Sequence, residues 1–150
     1  MINWNDGTVS FSSNPVITNH GNWNINGNYN TSTWFTTGSV VNSGTIHKNS
    51  SGTSLLGGLN TFENTGSLLL NSGILSFNTG TFNNSGIISF NGGTLSTSSS
   101  FVLNHNTGSV IGGNGIYSNG GTLKLNIDLN LPPTLNFSNT GTIDGNGNLT

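Results

Sequence analysis

Asn64-Thr-Gly-Ser-Leu-Leu-Leu70, Asn71-Ser-Gly-Ile-Leu-Ser-Phe77, Asn78-Thr-Gly-Thr-Phe82, Asn84-Ser-Gly-Ile-Ile-Ser-Phe90 and Asn91-Gly-Gly-Thr-Leu-Ser-Thr97 repeat one unit, Asn-x-Gly-x-h-x-h, where h is apolar. The asparagines step by seven, seven, six and seven residues. An h-x-h alternation over three or four residues sends one set of side chains inward and the other to solvent, which is a short strand. The Asn and Gly between strands are residues that tolerate a corner, so each unit reads as one strand and one turn.

A longer period lies above this one. The pattern h-x-Asn-x-Gly occurs at Ile17/Asn19/Gly21, Val40/Asn42/Gly44, Phe62/Asn64/Gly66 and Phe82/Asn84/Gly86. Asn19, Asn42, Asn64, Asn84 and Asn106 are spaced 23, 22, 20 and 22 residues apart. Three short units therefore make one larger unit of about 21 residues, the signature of a stacked repeat architecture. The fold class expected is all-β: a right-handed parallel β-helix, that is, a three-sided β-solenoid of about seven rungs of roughly 21 residues.

Stacked rungs place equivalent asparagines about 4.8 Å apart, so their amides can bond up and down as a ladder. An unpaired buried amide costs roughly 1–3 kcal/mol, so the ladder also fixes the register. The inward set expected is Val9, Phe11, Ile46, Phe62, Leu68, Leu70, Leu75, Phe77, Phe82, Ile88, Phe90, Leu95, Val110, Leu123 and Leu125. Leu69, Ile87 and Ile111 are expected outside, as a modest apolar stripe able to mark a lateral contact.

The chain reads as one domain over residues 1–150. Residues 1–38 hold Trp4, Trp23, Trp34 and Tyr29 and are expected to form irregular aromatic-rich rungs or a cap. Residues 39–121 carry the regular Asn-x-Gly rungs. Residues 122–150 begin with the alternation Thr122-Leu-Lys-Leu-Asn-Ile-Asp-Leu-Asn-Leu131, expected as one extended strand ended by Pro132-Pro133, followed by a final rung.

Composition narrows the function. Charged residues make up 4 % of the chain, with no arginine, against roughly 25 % in ordinary domains. Phosphate recognition needs clustered Lys or Arg, so nucleic acid is not an expected partner. No apolar run is long enough for a membrane span. With no cysteine there are no disulfides and no thiolate metal sites. The start, Met1-Ile-Asn-Trp4, lacks the pattern of an export signal. An exported chain would then be a mature piece or a fragment of something longer.

The run from Asn42 to Gly121 resembles the repeat regions of large secreted and cell-surface adhesin-like proteins and autotransporter passengers, which are right-handed parallel β-helices. The resemblance supplies the handedness. It implies extracellular or cell-surface display, attachment or fibre formation, with self-association (head-to-tail or lateral) or neighbouring repeats of a longer chain as partners. The expected function is a structural or adhesive rod, a stalk or filament unit without catalysis and without a cofactor.

Rival readings rest on a few residues. A polysaccharide-degrading enzyme would need paired carboxylates, whereas Asp6, Glu63, Asp128 and Asp144 are scattered. His20, His47 and His105 are read as turn residues rather than metal ligands. Ice binding would need an unbroken outward threonine column, and the place after the glycine, held by Thr8, Thr45, Thr94, Thr122 and Thr142, is interrupted by Ser67, Ile74, Ile87 and Ser109. The principal alternative is carbohydrate binding, with Trp23, Tyr29 and Trp34 as a stacking platform. Asn30, Asn49, Asn83, Asn136 and Asn148 carry the acceptor pattern for N-linked glycans, which a chain this rich in Asn, Ser and Thr produces by chance several times.

Overall fold

The computed structural model describes residues 1–5, 14–27 and 38–150. Val9, Phe11, Tyr29, Asn30 and Trp34 lie outside the described residues. Among the described residues there are sixteen strands, numbered β1 to β16 in chain order, and every strand pairing is parallel. The protein is a parallel β-solenoid of about six turns, against the seven expected.

Three stacks of strands form its sides. The first stacks β2 (Val16–Asn19), β4 (Ser39–Asn42), β7 (Thr61–Asn64), β10 (Gly80–Asn84), β12 (Phe101–His105), β14 (Thr122–Leu125) and β16 (Thr142–Gly145). The second stacks β1 (Ile2–Trp4), β3 (Asn22–Ile25), β5 (Thr45–Lys48), β8 (Ser67–Leu70) and the leading halves of β11 (Ile87–Thr97) and β13 (Val110–Asn119). The third stacks β6 (Thr53–Leu56), β9 (Ile74–Phe77), the trailing halves of β11 and β13, and β15 (Leu135–Asn139).

The period-2 alternation does what the sequence implies. In β4 to β8 each strand runs half-buried, buried, half-buried, buried. Val40, Phe62, Phe82, Leu103 and Leu123 stand over one another in register and are fully buried. Phe62 packs on Phe82 with ring centroids 4.6 Å apart and on Phe77 at 5.4 Å, and Phe77 lies 5.0 Å from Phe101. These offset and edge contacts add to the burial itself. Ile46, Leu68, Leu70, Leu75, Ile88, Phe90, Leu95 and Leu125 are in the core as expected.

Two core assignments are corrected. Val110 is 53 % exposed and Ile111 is buried, the reverse of the expectation. Asn84 pairs with His105, an offset of 21, whereas Ile87 pairs with Val110, an offset of 23. Two extra residues at this corner, which holds Gly108 (φ 93°), put Val110 in the outward place of Ile87.

The expected ten-residue strand is also corrected. β14 ends at Leu125, and Asn126 turns the corner by donating to the Asn106 side-chain oxygen at 2.7 Å. Leu129 then forms an isolated parallel bridge to Leu149. Conversely, β11 and β13 run through a corner that elsewhere separates two strands, with Gly92 (φ 96°) and Gly113 (φ 93°) absorbing the bend.

The corner glycines serve a purpose other than left-handed backbone. Gly44, Gly66 and Gly86 have ordinary φ, but a Cβ on Gly66 would lie 2.1 Å from the Gly44 carbonyl oxygen. A Cβ on Gly86 would lie 2.2 Å from the Gly66 oxygen. Successive corners touch backbone to backbone, so no side chain fits there.

Candidate functional site

Four of the five expected ladder asparagines form a ladder. Asn19, Asn42 and Asn64 each donate from Nδ2 to the Oδ1 of the next, Asn42, Asn64 and Asn84, at 2.7 Å in every case. The second N–H turns back on the corner, reaching the Gly21, Gly44, Gly66 and Gly86 carbonyls at 3.1, 3.3, 3.4 and 3.1 Å. The four side chains are buried. Their place follows from parity: Asn64 stands two residues beyond inward Phe62 and so points inward too.

Asn106 is not a member of it. His105 holds the register place over Asn84, and Asn106, one residue later, faces out and accepts from Asn126. The ladder is continued by other chemistry. Asn84 Nδ2 donates to Ser109 Oγ at 2.6 Å, Ser109 Oγ meets His105 Nδ1 at 2.6 Å, and His105 Nε2 meets the Tyr117 hydroxyl at 3.2 Å. Burial pushes His105 down to about 4 and pushes the Tyr117 phenol up. A second run starts at another corner, where buried Thr97 Oγ1 donates to Asn119 Oδ1 at 2.9 Å and Asn119 Nδ2 to the Oδ1 of exposed Asn139 at 2.7 Å.

A second asparagine column, outside the rod, was not anticipated. Asn26 donates to Asn5 at 2.9 Å, Asn49 to Asn26 at 3.0 Å, Asn71 to Asn49 at 2.8 Å and Asn91 to Asn71 at 2.9 Å. Asn114 continues the register over Asn91. This column runs along the corner between the second and third stacks. Its sequence signal is an Asn directly after an inward apolar residue, as in Leu70-Asn71 and Phe90-Asn91.

Lys48 occupies a core column between Ile25 and Leu70. Its Nζ donates to the Ser50 carbonyl, to Ser50 Oγ at 2.6 Å, to the Gly52 carbonyl at 3.0 Å and to the Ser72 carbonyl at 3.3 Å. These partners are neutral oxygens. Burial pushes the amine down to about 8.

The remaining site residues separate. Trp23, proposed for a sugar platform, is 3 % exposed and sits in the core over Ile2 and under Ile46. Of the glycan acceptors, Asn49 is tied into the outer column, Asn83 donates to Glu63 at 2.6 Å, and Asn148 donates to Asp128 at 3.0 Å. Asn136 is exposed in β15. His20 meets Ser43 Oγ at 2.7 Å, and among the described residues no three His, Cys, Asp or Glu side chains converge.

Charge is segregated. Glu63, Lys124 and Asp144 share one outward column of the first stack, with Asn83 and Asn104 between them. Among the described residues the outward places of the second- and third-stack strands carry no carboxylate and no lysine, and exposed Asp128, outside the three stacks, accepts from Asn148. No described helix is long and apolar enough to cross a membrane.

No family model matches the chain, and neither a curated protein nor a solved structure matches it.

Proposed function

We propose that the chain is a structural and adhesive rod: a stalk or filament unit of an extracellular surface protein, without catalysis. The observation that supports this most is the register lock. Hydrogen-bonded amides and stacked apolar side chains run from rung to rung, so load along the axis is shared by ladders of backbone bonds. The resemblance of the Asn-x-Gly repeats to secreted adhesin-like β-helices supports the setting.

The proposed partner is the chain itself or adjoining repeats, stacked end to end. Ile143 continues the register of Leu123 yet is 41 % exposed, because among the described residues β16 is paired on one side alone, with β14. A strand added there in parallel would extend both core and ladder, a heterologous contact that grows into a filament. Analytical ultracentrifugation and negative-stain electron microscopy of the purified chain test it. End-to-end polymers that Ile143→Lys disperses support the reading; a strictly monomeric rod at high concentration removes the filament role.

A further inference from the structure

The geometry points to a binding line for an extended, uncharged polysaccharide along the exposed asparagine column Asn26–Asn49–Asn71–Asn91. Three features of that corner carry the inference, and it stands whether or not the rods stack end to end.

The first is the amide chemistry. In the buried ladder Asn19, Asn42 and Asn64 use both N–H groups inside the protein, one on the next amide and one on a glycine carbonyl. In the outer column each of Asn26, Asn49, Asn71 and Asn91 donates to the amide of the preceding rung, and among the described residues no glycine carbonyl takes the second N–H. A row of donors therefore faces outward. It repeats about every 4.8 Å. Each amide is already held by its neighbours, so little rotamer freedom is lost when a ligand binds. A sugar unit of an extended glycan is close in length to one rung, so hydroxyls can meet successive amides.

The second is the flanks. Leu69 and Ile74 border Asn71, and Ser89 and Thr94 border Asn91. Ile74 is 37 % exposed. Alternating aliphatic and hydroxyl neighbours suit the C–H faces and hydroxyl edges of a pyranose ring. The lack of carboxylate and lysine in these outward places gives no anchor for phosphate, sulfate or uronate groups.

The third is width. Each side of the rod is four residues across, about 13 Å by strand rise, a narrow track that a linear chain along the corner matches.

The test uses the whole chain with microcrystalline cellulose, chitin beads, and soluble cellohexaose and chitohexaose, with polygalacturonate as the charged comparator. Retention on a neutral polymer is expected, with none on polygalacturonate. Asn49→Asp/Asn71→Asp should weaken it about tenfold, as should Ser96→Lys, which leaves the column intact. Asn104→Asp, on the charged side, should leave it unchanged. Circular dichroism and thermal melts confirm that each variant is folded. The inference is overturned if no neutral polymer is retained, if retention survives Asn49→Asp/Asn71→Asp, or if Asn104→Asp weakens it equally.

Discussion

Asn64 and Asn71 are seven residues apart, both open an Asn-x-Gly corner, and yet one is buried and donates to Asn84 at 2.7 Å while the other stands outside and donates to Asn49 at 2.8 Å. The same side chain thus has two different energetic roles. Asn64→Ala leaves the Asn42 amide N–H and the Asn84 oxygen without their partner in a buried setting, which costs roughly 1–3 kcal/mol or more. Asn71→Ala exposes its neighbours to water and stays within about 0.5 kcal/mol. Urea unfolding of the two variants should separate them; equal losses would mean that burial does not set the value of the ladder.

Phe82→Ala removes a ring that packs on both Phe62 and Phe77 in the filled interior. The expected loss is about 3–5 kcal/mol. Ile87→Ala, five residues away and 44 % exposed, is expected to change stability by a small fraction of that. Thermal melts of both variants provide the comparison.

Gly66→Ala forces a methyl group to within 2.1 Å of the Gly44 carbonyl oxygen, so one corner must lift away from the other. Overpacking of this kind costs typically about 1–3 kcal/mol. Gly21→Ala meets nothing within 4 Å and should be tolerated. A matched drop in midpoint for the two variants would refute the backbone-contact explanation of the corner glycines.

Acid should destabilise the fold through His105. Its folded value is near 4, below the ordinary 6.5, so the unfolded chain takes up the proton first. Stability is full above about pH 6.5, falls as pH drops towards 4, and levels off below; the loss is on the order of 3 kcal/mol. His105→Gln should flatten that segment of the profile. Chemical denaturation at a series of pH values measures it.

Alkali should act in the opposite sense through Lys48. The folded amine sits near 8 against 10.5, so stability rises as pH climbs above 8 and the folded chain no longer holds a buried ammonium. Above about 10 the gain is opposed, because tyrosines in the unfolded chain ionise while Tyr117 stays neutral. In Lys48→Met the rise between pH 8 and 10 should vanish.

Most of the architecture was legible because parity and period are written directly in the residues. Phe62-x-Asn64 and Leu70-Asn71 differ by one place, and that place decides inside or outside. The buried ladder up to Asn84 followed from the 20- to 23-residue spacing. Asn106 did not fit because spacing alone ignores parity: it follows His105, which points inward, so it cannot. Val110 and Ile111 exchanged places because a two-residue insertion between Asn106 and Val110 is invisible without knowing where the corner closes. The buried amine of Lys48 had no signal, since its acceptors, Ser50 and Gly52 at the next corner of its own turn and the Ser72 carbonyl of the next turn, are brought to it only by the way the corner closes. Trp23 was ambiguous because an aromatic suits a core and a sugar platform equally well.

The His105–Ser109–Tyr117 relay joins two differently locked halves. Below it the amides zip along one edge, above it along another. In a nearly one-dimensional object each turn leans chiefly on its neighbours, so a weak seam is not rescued by distant ones. Protonating that one imidazole, which in the folded chain takes a pH near 4, would weaken the rod across its width at that seam before either half begins to fray.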